Sequence, residues 1–181
     1  FLNLKDFWHN FYIKGLGEFF YRNQINPSGL AQFLSTENRQ ENISSALEYS
    51  AEKLLILFGW GKDSLVSVEL TKSKNLSFDL FSFGKEYPLH QLAQAPTWAK
   101  RLIIQRTLDL PQIQKLLAEG YYNGHLPITG IICFVTAVVS YLYGYKSVIT
   151  SLEKSADFWN TEYHGLNINH QRSKSSEFEE S

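Results

Sequence analysis

Residues 54–64, LLILFGWGKDS, run from aliphatic side chains into Gly59, Gly61, Lys62, Asp63 and Ser64. A buried strand that empties into a glycine loop at the start of a helix is a common anion cradle. Backbone N–H groups and the positive end of the helix dipole then face the ligand. In this loop Lys62 adds a positive charge and Ser64 a hydroxyl. Asp63 is the informative residue, because a carboxylate repels phosphate unless a divalent cation stands between them. Its presence predicts ATP delivered with Mg²⁺, with Asp63 as the metal ligand. Two familiar phosphate loops do not fit. The Walker pattern needs a glycine where Ile56 stands and a Ser or Thr where Asp63 stands. The dinucleotide pattern needs a third glycine where Ser64 stands. The same residues also suit a plain strand-to-helix turn capped by Asp or Ser, so the loop calls for corroboration elsewhere.

The elements that must position this loop follow from hydrophobic periodicity. Phe7, Trp8, Phe11, Tyr12, Leu16, Phe19 and Phe20 recur at spacings of three and four and predict a helix over residues 4–22. Gly15 and Gly17 either weaken that helix or let something approach it closely. A loop over residues 23–29 and a helical stretch over Ser45–Lys53 follow. Beyond Lys53, strands and helices alternate, which argues for a parallel sheet with crossover helices. The expected strands are Leu54–Phe58, Phe78–Phe83, Arg101–Gln105 and Lys146–Thr150. The expected helices are Ser64–Lys74, Pro111–Glu119 and the apolar run Pro127–Tyr145. That last run is nearly long enough to cross a bilayer, but Thr129, Thr136 and Ser140 dilute it and Gly130 and Gly144 interrupt it. A buried helix against the sheet is the expected reading.

The fold class expected is therefore α/β, three-layered, with a mainly parallel sheet preceded by a helical segment. The chain opens at Phe1, holds no methionine and stops in the charged stretch SKSSEFEES, which predicts a fragment of a longer protein. On this reading residues 1–50 end a truncated N-terminal region, and residues 51–181 form the nucleotide-binding domain. With 17 basic and 18 acidic residues, no broad positive field points to nucleic acid. The one cysteine, Cys133, excludes an internal disulfide and sits in the apolar IICFVTAVV, so it reads as a buried, inert thiol. Oligomeric state is not legible.

The glycine loop resembles the PP-loop of the ATP pyrophosphatase superfamily, whose pattern is SGGxDS after a first strand. Four further stretches, FYIKGLGEFFYRN near the start, GYYNGHLPITG at 120–130, VITSLEKSA at 148–156 and NINHQRSKSSEFE at 167–179, are similar, in the same order, to the UDP-N-acetylmuramoyl-L-alanyl-L-glutamate epimerases. The resemblance implies a cytoplasmic bacterial enzyme of peptidoglycan precursor synthesis. Such an enzyme uses ATP and Mg²⁺ to invert a terminal L-glutamate to D-glutamate in a UDP-linked muramoyl dipeptide, through an acyl-adenylate with release of AMP and pyrophosphate. Activation makes chemical sense, because an existing carboxylate charge opposes loss of the neighbouring proton. Inversion then needs acid/base groups on two faces, or one group and water.

Several residues are candidates for these tasks. His125 and Asn123 stand in NGHLP, where Asn123 is a candidate for holding nucleotide or substrate. Glu153 and Lys154 follow the last expected strand, and the carboxyl ends of parallel strands face the ligand crevice. His170 is a candidate for proton transfer, as are His125 and Glu153. Arg172, Lys174, Lys154 and Arg106 are candidates for binding phosphate or carboxylate. One departure bears on activity: Trp60 stands where the superfamily pattern has glycine, and a bulky residue there restricts backbone approach to a ligand. Two other readings therefore stay open. One is a different PP-loop adenylating enzyme, a ligase or nucleoside-modifying enzyme; the other is a non-catalytic nucleotide-binding module.

Overall fold

The computed structural model describes residues 4–34, 51–59, 61–84, 99–152 and 154–179. In chain order its elements are α1 (Leu4–Gly15), α2 (Gly17–Arg22), β1 (Ala51–Leu57), α3 (Lys62–Ser73), β2 (Phe78–Gly84), β3 (Arg101–Gln105), α4 (Leu110–Ala118), α5 (Ile128–Tyr143), β4 (Tyr145–Ile149), β5 (Thr161–Tyr163), β6 (Leu166–Ile168) and α6 (Ser176–Glu179). Single 3-10 turns occupy Lys154–Asp157 and Arg172–Lys174. Contacts divide the chain into two compact units. One takes the described residues of 1–44, 109–130 and 153–181, the other those of 45–108 and 131–152.

The second unit is built on a four-stranded sheet, β3-β2-β1-β4, in which every neighbouring pair is parallel. From Leu54 onward its central strand β1 is covered on both faces, which is why this part reads as an aliphatic run. Alternate side chains go to opposite faces. Leu54, Ile56 and Phe58 pack with Phe78, Leu80, Ala99, Ile149 and Val68 of α3. Leu55 and Leu57 pack with Phe81, Phe83 and with Ile132, Val135 and Val139 of α5. Helix α3 thus covers one face and α5 the other, an α/β layering. The 16-residue α5 is the apolar run noted above. No helix among the described residues is long and apolar enough to cross a membrane.

Two expectations need correction. Ala51–Lys53 were read as the end of a helix, yet they open β1, with Ala51 paired to Tyr145 of β4. Residues 45–50 lie outside the described residues. The single helix expected over 4–22 is two helices, because Leu16 takes a non-helical backbone (φ −94°, ψ 9°) between Gly15 and Gly17.

Among the described residues of this unit, the buried charge is Asp79, 2% exposed on β2. Its carboxylate accepts from Lys53 Nζ at 2.7 Å, from the Lys100 main-chain N–H at 2.7 Å and from the Tyr145 hydroxyl at 2.6 Å. Burial pushes the Asp79 carboxyl upward, but the donors from Lys53, Tyr145 and Lys100 outweigh it and hold the group below its ordinary value. Burial and the Asp79 charge together push the Tyr145 hydroxyl above its own.

The first unit carries the aromatic helices. Phe7, Trp8 and Phe11 of α1 pack edge-on and stacked, and Phe11 meets Phe178 of α6. Gly130 lies against this pair, and a Cβ there would stand 2.8 Å from Phe11 Cε2. A Cβ at Gly17 would stand 3.1 Å from Ile168 of β6, so this glycine opens α2 and admits a neighbour. Strands β5 and β6 form an antiparallel hairpin. Its two central turn residues, His164 and Gly165, both have positive φ, as a type I′ turn requires.

Removing the Asp79 carboxylate leaves the buried Tyr145 hydroxyl and the Lys53 ammonium without their acceptor. Asp79→Ala is expected to cost about 2–3 kcal/mol, read from the urea unfolding midpoint. Because the folded value is depressed, the contribution is complete above the unfolded Asp value of about 3.9 and is lost as pH falls below it. Asp79→Asn should flatten the acid limb of the stability curve. A cost near zero, or an unchanged acid limb, would show that the carboxylate does not hold the sheet.

Candidate functional site

The glycine loop lies where β1 ends and α3 begins, at the carboxyl edge of the parallel sheet, the edge where ligands bind in such folds. Gly61 is the N-cap of α3, with no side-chain cap, in an extended conformation (φ −77°, ψ 161°). The first N–H groups of a helix have no partner within it. Ser64 is buried, and its Oγ accepts from the Gly59 N–H at 3.2 Å, while its own N–H donates to the Gly61 carbonyl at 3.1 Å. The hydroxyl therefore closes the loop on itself. Lys62 Nζ and Asp63 Oδ1 pair at 2.9 Å on the exposed rim, with Asp63 the less exposed of the two.

Nothing in the geometry of the described residues requires glycine at 59 or 61. Gly59 and Gly61 are not among the residues with positive φ. Among the described residues, a Cβ at Gly59 would meet nothing within 4 Å, and one at Gly61 would meet only the Asp63 nitrogen, at 4.0 Å. Glycine there keeps the backbone open to something outside the chain, which fits a phosphate cradle. Among the described residues no group of three or more His, Cys, Asp or Glu could hold a metal ion. A lone Asp63 fits Mg²⁺ that arrives with phosphate, since that ion commonly takes one or two carboxylates plus substrate oxygens.

A second assembly of polar residues lies within the other unit. A cavity of about 280 Å³ is lined by Glu18, His125, Asn169, His170, Arg172 and Lys174, with Pro127 and neighbours completing the wall. His125 adopts φ 52°, in the left-handed region rare for a side-chain-bearing residue, and its Nδ1 lies 3.8 Å from Glu18 Oε1. Glu18, 12% exposed, also accepts from Arg22 Nε at 2.8 Å. His170 Nδ1 faces Asn160 Oδ1 at 2.6 Å.

Arg172, 8% exposed, donates to Glu177 at 3.3 Å, and its Nε is buried with no hydrogen-bond partner among the described residues. Burial holds its guanidinium below the ordinary value, against the Glu177 charge. Lys14 also pairs with Glu177, and both line a neighbouring cavity of about 380 Å³. The Lys14 hydrogen bond, burial opposing it, and the two cations leave Glu177 below the ordinary carboxylate value.

The structure thus brings His125, His170, Arg172 and Lys174 to one cavity from two distant stretches of sequence. Gly59, Gly61, Lys62, Asp63 and Ser64 form the loop. Asn123 is exposed and does not line the histidine cavity. Arg106 lies exposed just past β3, its guanidinium 6.0 Å from the Phe83 ring. Lys154 is exposed at the start of its 3-10 turn. Trp60 and Glu153 lie outside the described residues. Burial raises the Cys133 thiol above its usual range, in keeping with an inert role. Sequence reasoning missed Glu18 and Asn160. Glu18 was marked only by being the one acidic residue in FYIKGLGEFFYRN, and Asn160 by nothing local.

A family model, the MurL N-terminal domain, matches residues 3–181. A UDP-N-acetyl-alpha-D-muramoyl-L-alanyl-L-glutamate epimerase of Micromonospora sp. is 35% identical over 170 residues, covering 93% of this chain and 37% of that protein. Proteins of the same name are 31% identical in Xanthomonas oryzae pv. oryzae and 34% identical in Salinispora tropica, each over 93% of this chain. The chain spans about 37% of the length of the curated relatives it matches. No solved structure matches.

If Ser64 closes the loop, Ser64→Ala should release the Gly59 amide. Hydrogen exchange at that amide is expected to quicken roughly fivefold, equivalent to roughly 1 kcal/mol for one lost hydrogen bond. Unchanged exchange would mean that the hydroxyl does not restrain the loop in solution.

Proposed function

The chain belongs to the MurL N-terminal domain family, and from that premise we propose that it is part of an ATP- and Mg²⁺-dependent epimerase. The enzyme inverts the terminal L-glutamate of UDP-N-acetylmuramoyl-L-alanyl-L-glutamate in the cytoplasm, for peptidoglycan precursor synthesis. The names of the relatives support the substrate. The observation that supports the nucleotide half of the reading is the pair of glycines at 59 and 61, neither at positive φ and neither crowded by a neighbouring atom among the described residues.

In this reading the loop is of the PP-loop kind. Amides of Gly61 to Asp63 receive the pyrophosphate moiety, Lys62 adds positive charge, and Asp63 holds Mg²⁺. ATP supplies activation of the glutamate α-carboxylate as an acyl-adenylate, leaving as AMP and pyrophosphate. Arg172 and Lys174 favour an acidic substrate in the histidine cavity. His125 and His170 are the acid/base pair, since both line that cavity and imidazole is the side chain best suited to moving protons near neutral pH.

Incubating the full-length protein with the L-Ala-L-Glu precursor, ATP and Mg²⁺ is expected to yield AMP, pyrophosphate and a D-glutamate product. Asp63→Asn should lower AMP formation by roughly a hundredfold. Production of ADP, or undiminished turnover in the variant, would discard the scheme.

A further inference from the structure

The two imidazoles of the cavity have different partners at Nδ1, and for His170 the partner fixes the ring's tautomer. Asn160 Oδ1 lies 2.6 Å from His170 Nδ1 and 3.2 Å from the His170 main-chain N–H. A main-chain N–H can only donate, so the Asn160 atom it meets must be the oxygen and not the amide nitrogen. That oxygen can only accept. The neutral His170 ring therefore carries its proton on Nδ1 and presents the lone pair at Nε2, the reverse of the tautomer that predominates for imidazole side chains in water. Asn160 is anchored independently of its side chain, because its own N–H donates to the Ile168 carbonyl at 2.7 Å.

His125 has a carboxylate beside it instead. In its imidazolium form it pairs through Nδ1 with Glu18, 3.8 Å away, and keeps a proton on Nε2. Arg22 braces Glu18 from the other side. The left-handed backbone of His125, next to Gly124 at φ 93°, is a strained geometry of the kind that persists at sites where side-chain direction matters.

Resting on the epimerase reading, we infer that His170 removes the α-proton at Nε2 and His125 returns one from Nε2, with Asn160 and Glu18 as the positioning residues that set this assignment. In the first step the Cα–H bond breaks, its proton passes to the His170 lone pair, and its electron pair moves into the adjacent carbonyl. In the second step the His125 Nε2–H bond breaks and its proton joins Cα from the other face, as the carbonyl returns the electron pair. One imidazolium forms and one is consumed. His170 is exposed and the His125 side chain is 44% exposed, so water resets both.

The tautomer is tested without turnover, on full-length protein carrying ¹⁵N-histidine, with the His170 signal identified by its loss in His170→Gln. The expected spectrum shows His170 protonated at Nδ1 in the parent and in Asn160→Asp, and at Nε2 in Asn160→Ala. A parent ring protonated at Nε2 overturns the inference whatever the activity. With ATP, Mg²⁺ and the precursor in D₂O, Asn160→Ala should form AMP as the parent does but exchange the α-proton about 10²-fold more slowly, with Asn160→Asp restoring it. Unaltered exchange in Asn160→Ala would remove Asn160 from the mechanism. Glu18→Gln should still place deuterium in recovered L-glutamate substrate while D-glutamate falls; equal loss of both would remove His125 from the return step. A parent that forms no AMP overturns the epimerase reading, and the proton-transfer roles with it, while the spectrum still decides the tautomer.

Discussion

One buried carboxylate sets the frame on which the sheet-bearing unit depends. Asp79 starts on β2 and takes donors from β1 through Lys53, from β4 through Tyr145 and from the main chain just before β3 through Lys100. All four strands are therefore tied at their amino ends by one charge. An isolated buried carboxylate would be prohibitively costly, and three donors are what make it tolerable. The opposite edge of the sheet is relieved of that structural duty. There the chain leaves β1 through Gly59, and polar side chains such as Lys62 and Asp63 are at the rim.

Much of this frame was legible because burial on two faces leaves a plain signature. The expected strand over Arg101–Gln105 has the observed bounds, Phe78–Phe83 falls one residue short of β2 at its end, and Lys146–Thr150 is offset from β4 by one residue at each end. The misreading of Ala51–Lys53 has a physical cause. Ala, Glu and Lys are good helix formers, but Ala51 is held by pairing with Tyr145, nearly a hundred positions along, and tertiary pairing overrides local preference. The hairpin β5–β6 went unread because three-residue strands are too short to display alternation. Only His164-Gly165 marked it.

The candidate site was legible in its parts and not in its grouping. The loop residues are neighbours in sequence, so their place between β1 and α3 could be read from type and spacing. His125 and His170 are 45 positions apart in the numbering, and nothing in either motif says that they share a cavity. Glu18 and Asn160 are harder still. Each gains its meaning from one contact to a histidine, and an isolated Glu or Asn in a polar stretch carries no sign of that. Asn123, by contrast, stands two residues from His125 in NGHLP, yet it is exposed and does not line the histidine cavity.

The absent side chain at position 17 has a reach beyond its own helix. Any larger residue there presses on Ile168 at 3.1 Å, and the carbonyl of Ile168 is what secures the main chain of Asn160. Position 17 therefore bears on the side chain of the residue whose carbonyl secures Asn160, and Asn160 in turn meets the His170 ring. A glycine that looks like mere helix punctuation thus leaves room for the strand that holds a histidine's partner in place.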